Sequence, residues 1–185
     1  TFTSKQVLNI GDPVRIYAAN RLRELDLSEF IAYMTTLNIS EVSDPDMGTN
    51  LKRLVLGVDP VLSTKRNTSM NVISGLTQAT RLEYLDVSGY KGISSLDLSN
   101  HHLLKVLKAY QSGLTGVQIA NGGLIETMHL PDTMQSIALE NLSNLVDGLK
   151  FESNGKNLAS ISIKNCARFD SKLFIFDWFA GKVIE

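Results

Sequence analysis

One spacing of apolar residues recurs along most of this chain and constrains its fold. In residues 125–130 the first, fourth and sixth positions are apolar, and residues 134–139 repeat the spacing nine residues later. In the fourth to sixth positions two large apolar residues flank a histidine in the first copy and a small alanine in the second, as in a β-strand with one buried face. Two copies this close together cannot be independent globular elements. The pattern therefore predicts successive strands of a repeat.

We call the three apolar residues of this spacing a triplet. Triplets first appear near the start of the chain and recur regularly from residue 82. Three early copies begin at Leu22, Met34 and Leu51. The regular copies begin at residues 82, 93, 104, 114, 125, 134, 146 and 158. Consecutive starts lie 9 to 12 residues apart, and Gly, Asn or Pro interrupts each interval. These intervals are too short and too often broken for amphipathic helices.

Four segments carry a resemblance to a known family: LEYLDVSGY, ISSLDLSNHHLL, LTGVQIANGGL and IETMHLPDTMQSIAL. They resemble leucine-rich repeats, whose period is roughly 20–29 residues. The last segment resembles the bacterial surface-antigen subtype, in which two half-repeats flank a Leu-Pro turn. The run over residues 22–168 is also similar to repeat segments of long structural proteins of phages that infect gut bacteria. The resemblance implies a right-handed solenoid of short parallel β-strands, one per half-turn of about 11 residues, with few helices.

The predicted organisation is a single domain over residues 1–185. Residues 1–20 form an N-terminal lead-in, and residues 22–168 form the repeats with an insertion near 59–79. Within that insertion, residues 69–76 are interpreted as a short helix, in either a solvated loop or a binding loop. The apolar run KLFIFDWFA predicts a capping helix at 170–181 that covers the last turn; the alternative is a docking surface for a following domain. Because the chain starts at Thr1 rather than Met, we expect either a processed chain or a fragment of a longer protein, and we favour the fragment.

Four asparagines stand two residues after the last apolar position of their triplets: Asn100, Asn121, Asn141 and Asn165. A stack of similar turns leaves backbone donors and acceptors at each corner. A buried side-chain amide at one level can satisfy these groups and bond its neighbours above and below. We therefore expect a structural asparagine ladder rather than a binding site.

Composition and motifs exclude several classes of function. The net charge of −1 argues against a surface built mainly for nucleic acid. No apolar run reaches the roughly 20 residues of a membrane-spanning helix, so membrane insertion is not expected. A single cysteine excludes an internal disulfide. The three histidines have neither the spacing of a metal site nor a nearby nucleophile, so no metal, no cofactor and no catalytic residue is predicted.

What remains is the outer surface of the repeats. The regular triplets form two alternating sets, one on each side of the predicted solenoid. The outward residues of one set are small, whereas those of the other set are larger, charged or aromatic. Such a mixture is typical of a recognition patch. The alternative is a simple charge ladder, because Glu83, Lys105, Glu126 and Asp147 should occupy one level of successive turns. The candidate binding face comprises Tyr84, Asp86, Lys105, Lys108, Tyr110, Glu126, His129 and Lys150.

The sequence favours a non-catalytic interaction module that binds a protein or a glycan, with neighbouring domains in the same longer chain. The alternative is a structural or spacer segment of a phage virion or a bacterial surface assembly. An enzyme is the least favoured of the three hypotheses. For either favoured role we expect an extracellular, cell-surface or virion location rather than a cytoplasmic one.

Overall fold

The computed structural model describes residues 22–39, 50–58, 63–145, 148–166 and 183–184. The predicted lead-in (1–20), the start of the predicted insertion (59–62) and the predicted capping helix (170–181) lie outside these ranges. They stay predictions, as does the placement of Asp147 on the charge ladder.

Short strands dominate the described chain. They are β1 (Glu24–Asp26), β2 (Leu37–Asn38), β3 (Arg53–Val55), β4 (Ile73–Ser74), β5 (Tyr84–Asp86), β6 (Ser95–Leu98), β7 (Val106–Lys108), β8 (Gly116–Ile119), β9 (Thr127–Leu130), β10 (Ser136–Glu140), β11 (Leu149–Phe151), β12 (Ser160–Lys164) and β13 (Val183–Ile184). Three short 3₁₀ helices lie among them, at Ser28–Phe30, Leu76–Gln78 and Glu152–Gly155.

The odd-numbered strands up to β11 form one parallel sheet of six strands in the order β1-β3-β5-β7-β9-β11. The central residues of the predicted triplets share one level across this sheet: Leu25, Leu54, Leu85, Leu107, Met128 and Leu149. The apolar spacing in the sequence therefore sets the strand register. The prediction of short parallel strands is confirmed for this side.

The even-numbered strands, together with β13, form the second side in three smaller parallel groups: β2-β4, β6-β8 and β10-β12-β13. A backbone hydrogen bond of 2.9 Å from Gln135 to the Thr115 carbonyl continues the stacking from β8 to β10. From β1 to β12 the chain thus passes alternately from one side to the other. This alternation is compatible with a repeat solenoid.

The space between the two sides is filled by one continuous cluster of buried apolar side chains. Members of the triplets on both sides contribute to it, including Leu85 and Leu107 from one side and Leu98 and Leu114 from the other, all fully buried. Each such side chain stabilises the fold by about 1.5–3 kcal/mol. The stack is held by this cluster and by the hydrogen bonds between its turns.

Part of the predicted insertion at 59–79 belongs to the repeats, and the predicted helix at 69–76 is wrong. β4 lies inside that segment and pairs in parallel with β2, with Ile73 opposite Leu37. The buried residues Met70 and Ile73 supply the first two members of a triplet. The third member is replaced by Gly75, which is left-handed with φ 82°, and the spacing rule therefore missed this turn.

Glycine is required where successive turns approach closely. A Cβ atom added at Gly113 would overlap the carbonyl oxygen of Lys91 in the preceding turn. The Gly113 N–H also donates to the Tyr90 carbonyl at 3.0 Å, so the two backbones cannot separate without losing this bond. Three residues later, a Cβ at Gly116 would meet nothing within 4 Å.

We expect Gly113→Ala to lower the free energy of unfolding by about 2–4 kcal/mol, because the methyl group forces two stacked turns apart. Gly116→Ala is the matched control and should change it by less than about 0.5 kcal/mol. Chemical denaturation of both variants measures the difference. Equal stabilities would show that the turns are not stacked this closely.

Candidate binding face

The candidate face is the outer surface of the six-stranded sheet, which we call the outer face. It includes the side chains of β1, β3, β5, β7, β9 and β11 that point away from the core, with the residue that precedes each strand. Residues at equivalent positions of neighbouring strands form rows across this face, which we call levels and number along the strand direction without the core-facing row. The first level holds Lys52, Glu83, Lys105 and Glu126, joined in sequence by backbone hydrogen bonds of 2.8–2.9 Å. The third level holds Asp86, Lys108, His129 and Lys150.

The first level is a charge ladder, as the sequence suggested for Glu83, Lys105 and Glu126. The Glu83 carboxylate lies 2.6 Å from the Lys52 ammonium and 3.5 Å from that of Lys105. The Lys52 hydrogen bond and charge, with a smaller effect from Lys105, lower the pKa of Glu83. Because these groups are well exposed, the pairs orient side chains more than they stabilise the fold.

Tyr84 lies at the second level between two cationic side chains. The Arg53 guanidinium is 3.8 Å from the centre of the Tyr84 ring, and the Lys108 ammonium is 5.8 Å from it. Both distances fall within the range of cation–π attraction. The sequence did not predict Arg53 as part of the face, because only the regular triplets from residue 82 onward were used to choose the candidate residues. Its place before Leu54 matches that of Tyr84 before Leu85, and this equivalence could have identified it.

A second aromatic contact joins Tyr110 and His129, whose ring centres are 4.7 Å apart at an interplanar angle of 45°. His129 is half-buried beside Lys108 and Lys150. Burial, and then the positive charges of the two lysines, lower the pKa of His129, so its ring is neutral at pH 7. Burial alone would lower the pKa of Lys108, but Tyr84, Asp86 and Tyr110 together raise it. Lys108 thus stays charged.

Asp86 is a correction to the predicted face. It is only 7% exposed, and its carboxylate accepts a 2.9 Å hydrogen bond from the Ser88 backbone N–H. The carboxylate folds back against Gly57, where a Cβ atom would leave it no room. Two other Asp-x-Ser segments share this turn, since Asp26 and Asp97 accept from Ser28 and Ser99 at 3.0 Å. The threefold recurrence of Asp-x-Ser could have predicted this structural role.

The remaining predicted residues lie on the outer face with different surroundings. Lys105 is tied to Glu83. Glu126 and Lys150 are exposed; Glu126 precedes β9, and Lys150 lies on β11 opposite His129. Lys108, His129 and Lys150 come together on three adjacent strands.

One contact of the predicted asparagine ladder is present, but the prediction that the ladder is buried is wrong. Asn141 donates a 2.7 Å hydrogen bond from its amide to the Asn121 side-chain oxygen, as expected for neighbours in a stack. However, Asn100, Asn121, Asn141 and Asn165 are all exposed. Asn141 and Asn165 have φ of 56° and 54°, a left-handed conformation that asparagine tolerates better than most residues. Their role is to turn the chain at the surface.

The buried amide of this fold is Asn67, which is 4% exposed. Its amide nitrogen donates to the carbonyls of Ile31 and Met34, each at 2.6 Å. Its side-chain oxygen accepts from the backbone N–H groups of Ser69 and Met70 at 3.0 and 2.8 Å. Sequence reasoning missed it because Asn67 lies inside the segment assigned to an insertion.

Long polar side chains connect turns that are not neighbours at the corner beyond the outer face. Arg66 donates to the Gln111 side-chain oxygen and passes Gly89, where a side chain would crowd it. Glu152 accepts a 2.7 Å hydrogen bond from the Gln111 backbone N–H. An open depression of about 250 Å³ lies here, lined by Lys91, Gln111, Asp132, Glu152 and Ser153.

His101 belongs to the core and not to a site. It is 2% exposed, and its Nε2–H donates to the Leu76 carbonyl at 2.9 Å. Its Nδ1 atom is buried and has no hydrogen-bond partner in the part of the chain that the structure describes. A proton on Nδ1 would therefore be an unsatisfied buried donor. Burial, the largest influence, lowers the pKa of His101.

Within the described ranges, no group of three or more His, Cys, Asp or Glu side chains is arranged to hold a metal ion. No helix in the same part of the chain is long and apolar enough to cross a membrane. No protein-family model, no curated protein and no solved structure matches this chain. The resemblance to leucine-rich repeats therefore rests on the residue spacing and on the stacked parallel strands.

The buried His101 should make stability depend on pH. Its folded-state pKa lies below the ordinary 6.5, so the unfolded chain binds the proton first as the pH falls. Stability should be fully present above pH 6.5 and decrease below it, by up to about 1.4 kcal/mol for each unit by which the pKa is lowered. Denaturant titrations of the protein at pH 7.5 and 5.5 measure this loss.

His101→Gln should show a smaller loss between these pH values, whereas His102→Gln should behave as the unmodified chain does. An identical pH dependence in His101→Gln would contradict the assignment.

Asn67→Ala should lower the free energy of unfolding by roughly 2–4 kcal/mol, because it leaves four backbone groups without their partner. Asn100→Ala, at an exposed corner, should change it by less than about 0.5 kcal/mol. Thermal and denaturant unfolding test the pair. A large loss in Asn100→Ala would restore the buried-ladder interpretation.

Proposed function

We propose that this chain is a leucine-rich-repeat solenoid that acts as a non-catalytic interaction module and binds a protein or a glycan on its outer face. The alternation of parallel strands between two sides supports the repeat class. The right-handed winding and the bacterial surface-antigen subtype are part of the proposal, carried by the Leu-Pro turn at residues 130–131. An extracellular, cell-surface or virion location follows from the same resemblance.

The observation that carries the proposal is the cluster of aromatic and cationic side chains in the middle of the outer face. Tyr84 lies between Arg53 and Lys108, and Tyr110 contacts His129. Rigid rings with fixed positive neighbours offer contact area at a small cost in conformational entropy. The opposite side presents small groups such as Ser95, Ser136 and Ser160.

The proposed absence of catalysis is consistent with the surroundings of two histidines. The His101 imidazole is engaged with a backbone carbonyl in the core, and that of His129 contacts Tyr110. An acid–base or nucleophilic role requires a positioned partner side chain. Neither imidazole has such a contact among the described residues.

The proposal is tested by screening the immobilised chain against a glycan array and an array of extracellular proteins. The triple variant Tyr84→Ala, Lys108→Ala and His129→Ala should bind any ligand found at least about tenfold more weakly, because it removes the central contacts. The matched control changes Ser95, Gln118 and Ser136 to Ala on the opposite side and should retain binding.

Undiminished binding by the outer-face variant, with its melting temperature near that of the unmodified chain, would sink the proposal. If the unmodified chain binds nothing on either array, the structural-segment alternative becomes the better account. That alternative, a spacer in a phage virion or a bacterial surface assembly, stays a prediction of the resemblance.

A further inference from the structure

The third level of the outer face has an uneven charge distribution. Lys108, His129 and Lys150 lie side by side on β7, β9 and β11. Among the described residues, neither Lys108 nor Lys150 has an ion-pair partner, whereas Lys52 and Lys105 share Glu83. Two positive charges therefore flank one imidazole.

Nearby carboxylates do not neutralise this group by direct pairing. Asp86 is buried and bonded to the Ser88 backbone. Glu152 is engaged by the Gln111 N–H. Glu126 stands at the other end of β9, on the first level. The third level around His129 therefore favours an anionic ligand by charge complementarity.

His129 lies on the strand between the two lysines, and Tyr110 follows β7. The Tyr110 and His129 rings are in contact, with centres 4.7 Å apart. The negative face of an aromatic ring attracts the slightly positive C–H groups of a flat apolar partner. The C–H face of a pyranose ring has this character, and a carboxylate on the same sugar would reach toward a lysine.

The spacing of the strands that carry the lysines favours one of two kinds of acidic polymer. The Cα atoms of Lys108 and Lys150, on β7 and β11, are separated by two strand intervals, roughly 9–10 Å. An extended acidic peptide presents side chains on one face about every 6.6–6.8 Å, which does not match. One disaccharide unit of a polysaccharide is comparable in length with the two intervals.

We infer that the third level binds an acidic polysaccharide that carries a carboxylate on every second sugar. Lys108 and Lys150 pair with successive carboxylates, and the Tyr110–His129 rings support the intervening sugar. This inference rests on the proposed function of the outer face and specifies the chemistry of its ligand.

A hyaluronan decasaccharide is a suitable probe, because it has one carboxylate per disaccharide and no sulfate. Isothermal titration calorimetry should detect binding that weakens as salt is raised, because exposed charges are screened. Lys108→Gln and Lys150→Gln should each weaken it by about fivefold. Lys164→Gln removes an equal charge from the second side and should leave the affinity unchanged.

Two further probes test whether the ligand must be acidic and whether it must be a polysaccharide. The methyl ester of the same decasaccharide has no charge and should bind at least about tenfold more weakly than the acid. Poly-glutamate of similar charge tests the peptide alternative and should also bind more weakly.

Equal affinity for the acid and its ester, stronger binding of poly-glutamate, or an equal loss in Lys164→Gln would each overturn the inference. These outcomes are separable from failure of the proposed function. If an array ligand is lost in the Tyr84, Lys108 and His129 variant while hyaluronan does not bind, the outer face is a binding face and only the acidic-sugar assignment fails.

Discussion

The structure depends on the backbone hydrogen bonds between successive turns. A strand of three or four residues cannot satisfy its own donors and acceptors, so each turn completes the one before it. The column from Leu25 to Leu149 shows the result, because one apolar side chain per turn lies directly above the next. The core and the register therefore specify each other, since a slip of one residue would turn every apolar side chain outward.

Close stacking of the turns also explains the positions of two glycines and of a polar contact between turns. Where the corners meet, the carbonyl of Lys91 occupies the space that a side chain at Gly113 would need. Conversely, the small surface of Gly89 lets Arg66 extend past one turn to Gln111 in the next. Close stacking therefore excludes a side chain at Gly113 but allows the Arg66–Gln111 hydrogen bond across Gly89. Such bonds connect several turns at this corner.

The apolar spacing was sufficient to predict the parallel strands, because alternation fixes which residues face the core. It failed at β4, where left-handed Gly75 occupies the last triplet position and Leu76 is buried instead. It also placed the corner asparagines at one level without predicting their exposure. Periodicity specifies height along the stack, but the direction of a side chain at a corner depends on φ, as Asn141 and Asn165 show. The role of Asn67 was beyond reach, because two of its four partners, the carbonyls of Ile31 and Met34, come from a segment far away in the sequence.

The outer face shows why a charge ladder and a recognition surface need not exclude each other. At the first level Glu83 lies between Lys52 and Lys105, and mutual pairing leaves little for a ligand to recognise. Three residues further along the chain, on β7 and β9, Lys108 has no such partner within the described part, and His129 is kept neutral by burial and by its lysine neighbours. Beside β7, Lys105 is thus paired at the first level, whereas Lys108 at the third level has no ion-pair partner among the described residues. Because stacking fixes the distance between the Cα atoms of neighbouring strands, the choice of residues at the third level determines which charges stand side by side on the outer face.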